Sequence, residues 1–257
     1  MESINLPEER RTSIVEILNE EGKVTAPDLS RRLDVSVDTI RRDLICLENA
    51  GRLTKVHGGA LPCSPATEPY KTRKSQNSAA KVLIAKQAAK LIQPGQVVPM
   101  DSGTTVEEVA RQLDPDLTAT VVTASFPVAA ALIGHPQVKV IMPGGILDAE
   151  SMTLSGSGVL ESLRQIYADL CILGISSIDL EAGITGTHFE ETDIKRLLIR
   201  NAKKVVVPVT RDKFGTAASF FIEAVDCIDV LVVEASTPDE LLEPYQALGI
   251  RIARGRS

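Results

Sequence analysis

The sequence predicts an α/β protein with a small helical domain at the N-terminus and a larger domain built on a mostly parallel sheet. The chain has 257 residues, a length that suits two domains better than one. Helical periodicity dominates residues 1–61, whereas short apolar runs alternate with helical segments over residues 79–257. Residues 62–78 contain three prolines among Ser and Thr, a composition typical of a linker.

The composition is that of a globular protein, with 44% hydrophobic and 24% charged residues. No apolar run approaches the roughly 20 residues needed to cross a bilayer. Residues 1–11 carry no apolar leader, so we expect a cytoplasmic protein that does not bind membranes. The four cysteines and three histidines are dispersed, with no Cys-x-x-Cys pair. We therefore expect neither disulfides nor a metal site, and no motif indicates a cofactor.

The overall charge does not favour a nucleic-acid-binding protein. The formal net charge is -6, and residues 1–60 hold nine Lys and Arg against eleven Asp and Glu. Binding of DNA by this chain therefore has to depend on where individual cations lie, since neither the chain nor its first domain is basic.

The first domain contains three predicted helices. Residues 8–19 form an amphipathic pattern that Gly22 ends. A second helix is predicted over residues 28–33, where Pro27 suits the start because its missing N–H would be unpaired there. After a short turn, Ser36 is the predicted N-cap of the third helix.

The third helix has the arrangement of a DNA-recognition helix. Ile40, Leu44 and Leu47 form its buried stripe, so Asp38, Arg42 and Ile45 point outward, with Thr39 and Arg41 on the flanks. The arginine fork pairs with guanine or with phosphate oxygens. Residues 53–59 predict a β-hairpin wing, whose cations suit phosphates. The predicted DNA-binding residues are Ser36, Asp38, Thr39, Arg41, Arg42, Arg52, Lys55 and His57.

The residues of the third helix and the wing form a string that is typical of one family. The residues concerned are Val35-Ser36-x-x-Thr39-Ile40-Arg41-Arg42-Asp43-Leu44, then Leu47-Glu48, Gly51 and His57-Gly58-Gly59-Ala60. This string closely resembles the helix-turn-helix signature of the DeoR family of transcriptional regulators. The alternative is a small helical bundle with solvated arginines. Asp43 belongs to the signature, and we interpret it as an internal partner of an arginine or as a cap, because phosphate would repel an outward carboxylate.

In the larger domain, the alternation of apolar strands with helices predicts a Rossmann-type parallel sheet that helices cover on both faces. Pro99 indicates that the first strand ends there or lies at an edge. The predicted strands are residues 97–100, 120–123, 138–142, 170–173, 205–209 and 228–233. The predicted helices are residues 105–113, 127–133, 159–166 and 192–201.

Residues 101–105, Asp-Ser-Gly-Thr-Thr, follow the first strand and precede a helix. Small residues let backbone N–H groups approach a ligand, and the helix N-terminus favours an anion. In open parallel sheets, ligands bind at the carboxyl ends of strands, where this loop is expected. The alternative is an ordinary strand–helix turn that needs only Gly and a Ser or Thr cap.

The segment that joins the two domains in the DeoR family is resembled by Glu68-Pro69-Tyr70, Arg73, Asn77, Lys81 and Ile84-Ala85. Three further motifs resemble the DeoR effector domain, which is similar in fold to ribose-5-phosphate isomerase. They are Gly144-Gly145, the Glu191/Lys195 pair, and Asp212-Lys213-Phe214-Gly215. Each alone could be a turn or a surface ion pair. The resemblance implies a sugar-phosphate pocket in which residues 101–105 hold phosphate and the lysines supply charge. The predicted effector-binding residues are Asp101, Ser102, Gly103, Thr104, Thr105, Gly144, Gly145, Glu191, Lys195 and Lys213. The chain departs from the family pattern at residues 123–125, 175–177 and 233–235.

The resemblance predicts a repressor of a carbohydrate-metabolism operon that a phosphorylated sugar releases from operator DNA. Reading a repeated half-site requires at least a homodimer. The alternative is a sugar-phosphate isomerase-like enzyme, for which Glu191 and Asp101 are candidate bases. That alternative gives the first domain no purpose. A purely architectural DNA-binding protein is a third possibility, and the large α/β domain argues against it.

Overall fold

The computed structural model describes residues 6–256. The N-terminal domain is a winged helix whose three helices and three strands enclose an apolar core. The helices are α1 (Pro7–Glu21), α2 (Ala26–Leu33) and α3 (Val37–Asn49). The strands are β1 (Val24–Thr25), β2 (Thr54–Val56) and β3 (Gly59–Leu61), which form one antiparallel sheet in the order β1-β3-β2. The predicted wing is thus confirmed as the hairpin β2–β3.

The ends of these elements follow from single residues. The Ser36 hydroxyl accepts a hydrogen bond from the Thr39 N–H at 3.1 Å, which confirms the predicted N-cap of α3. Thr25 caps α2 in the same way. Strand β1, which the sequence did not predict, pairs with β3 so closely that a Cβ on Gly59 would lie 1.9 Å from the Val24 carbonyl oxygen. Only glycine fits at that position.

The packing of α3 confirms its predicted faces. Ile40, Leu44 and Leu47 are buried, and Ile45 is exposed. Asp43 is buried as well, and its carboxylate accepts hydrogen bonds from Arg10 at 2.5 Å and Arg11 at 3.0 Å. Asp43 is therefore an internal arginine partner, and the arginines belong to α1. Because breaking a buried ion pair leaves an uncompensated charge, this contact fixes the orientation of α3 against α1.

The segment between the domains is folded onto the larger domain. It contains a 3-10 turn (Pro65–Thr67) and the short helix α4 (Tyr70–Ser75). The Ser64 N–H donates to the Ala217 carbonyl at 2.9 Å, and the Ser64 hydroxyl donates to the Ser176 carbonyl at 2.9 Å. The stretch predicted to be a linker is therefore docked along the surface of the larger domain.

The larger domain holds two parallel sheets, with strand orders β6-β5-β4 and β9-β12-β14-β15. They meet at a parallel bridge between Met100 and Ile172, so seven parallel strands lie side by side. The strands are β4 (Val97–Pro99), β5 (Ala119–Val122), β6 (Val138–Ile141), β9 (Cys171–Ile172), β12 (Val205–Pro208), β14 (Val230–Glu234) and β15 (Arg251–Gly255).

Pro99 explains why the two sheets join only at a bridge. The Val97 carbonyl accepts a hydrogen bond from the Asp169 backbone N–H at 3.0 Å, and the Asp101 backbone N–H donates to the Ile172 carbonyl at 3.0 Å. Alternate residues of this stretch, starting at Val97, therefore face β9. Pro99 lies between them and has no N–H to donate. As predicted, the proline ends its strand, although β4 has neighbours on both sides.

Helices cover both faces of the sheet, which confirms the predicted layers. Side chains of α5, α6 and α7 pack with Val98 and Val121 on one face, and those of α8, α9 and α10 pack with Val207 and Leu231 on the other. The helices are α5 (Ser78–Ala89), α6 (Thr104–Arg111), α7 (Phe126–Ala131), α8 (Ser157–Arg164), α9 (Phe189–Asn201) and α10 (Asp239–Ala247).

The larger domain also has antiparallel parts that the sequence did not predict. Strands β10, β11 and β13 form a separate sheet in the order β10-β11-β13, and β7 and β8 form a hairpin. Among residues 6–256, no helix combines the length and apolar character that crossing a bilayer requires. The antiparallel strands are β7 (Ile146–Asp148), β8 (Thr153–Ser155), β10 (Ser177–Asp179), β11 (Gly183–Gly186) and β13 (Phe220–Glu223).

Candidate functional site

The outer face of α3 presents the predicted contact residues together. Arg42 is exposed and has no ion-pair partner among residues 6–256, whereas Arg41 pairs with Asp38 at 3.0 Å across one turn. The hydroxyls of Ser36 and Thr39 lie 2.9 Å apart at the start of the helix. Arg42 is therefore the cation of this face that is free to meet a base edge or a phosphate.

The wing carries the other three predicted residues. Arg52 and His57 are exposed, and Lys55 is partly buried with its N–H bonded to Glu48 at 2.9 Å. Lys55 and His57 also line a groove that Asp179 of β10 lines as well. The wing therefore borders a groove that also contains the acidic residues Asp179 and Glu181 of the larger domain.

A second candidate site is a cleft in the larger domain, at the carboxyl ends of β4, β9 and β12. From β4 the chain proceeds through β5 and β6 to one edge of the sheet, and from β9 through β12 and β14 to the other edge. The gap between β4 and β9 is thus the point where the strand order reverses. Ligands in open α/β sheets bind at that point.

The loop at residues 101–105 forms one wall of this cleft. Gly103 is the N-cap of α6, has φ +120°, and no side chain caps the helix. Thr105 lines the cleft, and its buried hydroxyl has no hydrogen-bond partner among the described residues. Unpaired donors at a helix N-terminus, together with an unpaired hydroxyl, suit an anionic oxygen ligand.

A buried ion cluster lies beside the loop. Lys195 of α9 contacts Asp101 at 2.5 Å and Glu191 at 3.2 Å, and the Ser102 hydroxyl donates to Glu191 at 2.7 Å. Burial lowers the pKa of Lys195, but the two carboxylates outweigh it and hold the pKa above its ordinary value. Lys195 therefore stays charged, and its ammonium is already paired with both carboxylates.

Two other cations face the cleft without an ion-pair partner among residues 6–256, namely Lys213 and Arg73. The Lys213 ammonium donates to the Ile175 carbonyl at 2.6 Å. Burial, with nearby Arg73 adding to it, lowers the pKa of Lys213 to about 7. An anion bound here would favour the charged lysine, so Lys213 and Arg73 are the cations available to a ligand.

The structure brings most of the predicted effector residues to this cleft. Asp101 lies behind the lining, bonded to Lys195 and to the Gly174 N–H at 3.0 Å. Gly144 and Gly145 do not line the cleft. A Cβ on Gly145 would lie 2.5 Å from Val159, so close packing accounts for that glycine. The predicted residues that line the cleft are Ser102, Gly103, Thr104, Thr105, Glu191, Lys195 and Lys213.

Sequence reasoning missed the remaining polar residues of the cleft. Arg73 stood in a segment predicted to be a linker, and its approach to residues 103–105 depends on how that segment docks. His188 is the N-cap of α9 and has no sequence signal of its own. The part of the chain that the structure describes contains no group of three His, Cys, Asp or Glu placed to bind a metal. The missed residues are Arg73, Ser151, Gly174, Ser176, Thr187 and His188.

Both domains of the chain match known protein families. Residues 10–66 match the DeoR-like helix-turn-helix domain, and residues 76–235 match the DeoR C-terminal sensor domain. The chain belongs to the DeoR family. The sensor-domain match contains the strands and loops that form the cleft, apart from Arg73.

Curated DeoR-family relatives match over nearly their whole length. The transcriptional regulator GolR of Listeria innocua is 34% identical, covering 96% of this chain and 98% of that protein. The glycerol-3-phosphate regulon repressor of Escherichia coli K12 is 31% identical, covering 91% and 94%. Among solved structures, ribose 5-phosphate isomerase A of Methanocaldococcus jannaschii has a TM-score of 0.41 at 20% identity, covering 54% of this chain and 55% of that one.

Proposed function

We propose that this DeoR-family chain represses a carbohydrate-metabolism operon and leaves its operator when a phosphorylated sugar binds the cleft. The main support is the cleft itself, which combines an uncapped helix N-terminus, the unpaired Thr105 hydroxyl and two cations without an ion-pair partner among residues 6–256. This set of donors suits a dianionic phosphate next to a polyhydroxylated group. One relative is named as the repressor of the regulon of a phosphorylated compound, glycerol 3-phosphate.

Operator binding assigns a role to the first domain. Arg42 and the residues beside it on α3 would read one half-site, and the wing would contact phosphates with Arg52 and Lys55. A second copy of the chain is needed for the other half-site, so the active form is at least a homodimer. Because the operator is chromosomal, we place the protein in the cytoplasm.

Effector binding would act by shifting the balance between arrangements that bind the operator well and badly. The shift equals the difference between the effector's affinities for the two arrangements. A difference of about a hundredfold, typical of allosteric coupling, releases most of the protein from DNA.

The proposal predicts release of operator DNA by one class of small molecule. The operator is first obtained by in vitro selection with the purified protein. In gel shifts at fixed salt, a panel of sugar phosphates is then added, with the unphosphorylated sugars as matched controls. We expect at least one phosphorylated member to release the DNA and its unphosphorylated counterpart to have no effect. Release by free sugars, or failure to select any DNA sequence, would contradict the proposal.

The isomerase-like alternative requires a base beside a substrate carbon. Burial raises the pKa of Glu191, but Lys195 and the Ser102 hydroxyl outweigh it, so the pKa lies below its ordinary value. A carboxylate held in this way is a weak proton acceptor. The other candidate, Asp101, lies behind the lining of the cleft and is bonded to Lys195.

We therefore predict that the purified protein does not interconvert ribose 5-phosphate and ribulose 5-phosphate. The measurement is a coupled spectrophotometric assay over an enzyme range that would reveal turnover of about 1 per second, the low end of ordinary enzymes. The matched comparison is Glu191→Gln. Turnover in the wild type that this substitution abolishes would establish the enzymatic alternative.

A further inference from the structure

Arg73 reaches the cleft from outside the larger domain's sheet and helices. It lies on α4, in the segment that joins the winged helix to the larger domain. Its side chain nevertheless lines the same cleft as Gly103, Thr105 and Lys213. The wall of the cleft is therefore completed by a residue of the connecting segment, 28 residues or more before the loop at 101–105.

The guanidinium is held in place but incompletely paired. Its Nε donates to the Glu68 carbonyl at 2.8 Å, and the group lies 5.7 Å from the centre of the Tyr70 ring. Neither terminal nitrogen has a hydrogen-bond partner among residues 6–256. Burial lowers the pKa of Arg73, which marks a cation short of solvation. Two adjacent unpaired N–H groups on a planar fork match two oxygens of a phosphate.

Helix α4 is also fixed to the helix that carries the loop. Glu107 of α6 accepts hydrogen bonds from the Tyr70 hydroxyl at 2.5 Å and from Lys74 at 2.7 Å. The Glu107 N–H in turn donates to the Gly103 carbonyl at 2.9 Å. Lys81 of α5 bonds the Arg73 carbonyl from the other side. Arg73 and the loop are therefore parts of one closely bonded unit.

We infer that Arg73 binds the anionic group of the effector directly, so that the connecting segment is itself part of the effector site. This inference rests on the proposed function and adds the residue through which the effector meets the segment between the domains. Only a short stretch of polypeptide connects α4 to β3 of the wing. Within it, Ser64 is hydrogen-bonded to the carbonyl groups of Ala217 and Ser176 in the larger domain. An effector that binds Arg73 therefore contacts the segment that connects the winged helix to the larger domain.

The test uses inorganic phosphate as the probe and the full-length protein. Its dissociation constant is measured by isothermal titration calorimetry at constant ionic strength in the wild type, Arg73→Ala, Arg73→Lys and Lys71→Ala. Lys71 is the matched control, because it is an exposed lysine of the same helix and does not line the cleft. We expect Arg73→Ala to weaken phosphate binding by about tenfold or more and Lys71→Ala to leave it unchanged. Arg73→Lys should fall between, because lysine keeps the charge and loses the fork.

The outcomes separate the two claims. If the wild type binds phosphate and Arg73→Ala binds it equally, Arg73 is not a ligand residue and the proposed function is untouched. If the wild type binds no phosphate at millimolar concentration, the proposed phosphate site fails and the inference fails with it. A thermal melt without phosphate checks folding, and Arg73→Lys decides the question should the alanine variant unfold.

Discussion

Replacing Arg42 with alanine is expected to abolish specific operator binding and to leave the fold intact. Arg42 is exposed on the outer face of α3, opposite the buried Ile40 and Leu44, and makes no ion pair among residues 6–256. Loss of one bidentate base contact costs about 1–3 kcal/mol, and a dimer loses two such contacts. A gel-shift titration with the selected operator at fixed salt measures the change, and a thermal melt checks the fold.

Thr39→Ala is the control for the orientation of the helix. Thr39 is partly buried on the flank, and its hydroxyl lies 2.9 Å from that of Ser36. One neutral hydroxyl contact contributes less than a charged fork, so its removal should weaken binding less than Arg42→Ala does. An equal loss would mean that α3 presents a different face to DNA, and unchanged affinity in Arg42→Ala would remove that arginine from the interface.

Replacing Gly103 with aspartate is expected to give a repressor that binds its operator and ignores its effector. Gly103 is the N-cap of α6, and a Cβ there would project into open space, without a neighbour within 4 Å. A carboxylate at that point would take the place of the phosphate and repel its charge. The regulated genes should stay off when the sugar is supplied. The measurement is operator release in a gel shift across a sugar-phosphate titration.

Gly103→Ala separates the effect of charge from that of strain. With φ +120° and ψ 152°, Gly103 occupies a region that other residues adopt only at a cost of about 1–3 kcal/mol. Both variants carry that strain, so both should melt at a lower temperature than the wild type. Only the aspartate variant should lose the response completely. If folded Gly103→Asp releases DNA at the wild-type effector concentration, the loop does not bind the phosphate.

Local sequence signals predicted the first domain well because its elements are defined by short-range chemistry. The period of Ile40, Leu44 and Leu47 identified the buried face of α3, and the Ser36 hydroxyl identified its start. Strand β1 escaped because two residues carry no periodicity. It exists only through its pairing with β3, which is 34 residues or more away in the chain.

In the larger domain six of the seven parallel strands were predicted, because they are continuous apolar runs. The seventh, β15, was missed, because this edge strand contains two arginines and is not an apolar run. The sheet β10-β11-β13 was not predicted either, because its strands have three or four residues, include Gly183 and Gly186, and contain a register shift. The candidate site likewise has a part that the sequence predicts and a part that it does not. The loop at 101–105 has a local signature, whereas the position of Arg73 depends on how the connecting segment docks.

The buried contact of Asp43 with Arg10 and Arg11 has a consequence for how DNA specificity can diverge in such a protein. The orientation of α3 is set from beneath by this contact and by the apolar stripe, none of which faces outward. Asp38, Arg41 and Arg42 are exposed and take no part in that support. In the proposed mode of operator binding, substitutions at these outer positions change which operator is bound while the buried support of α3 stays the same. New binding specificities become accessible by single steps through folded intermediates.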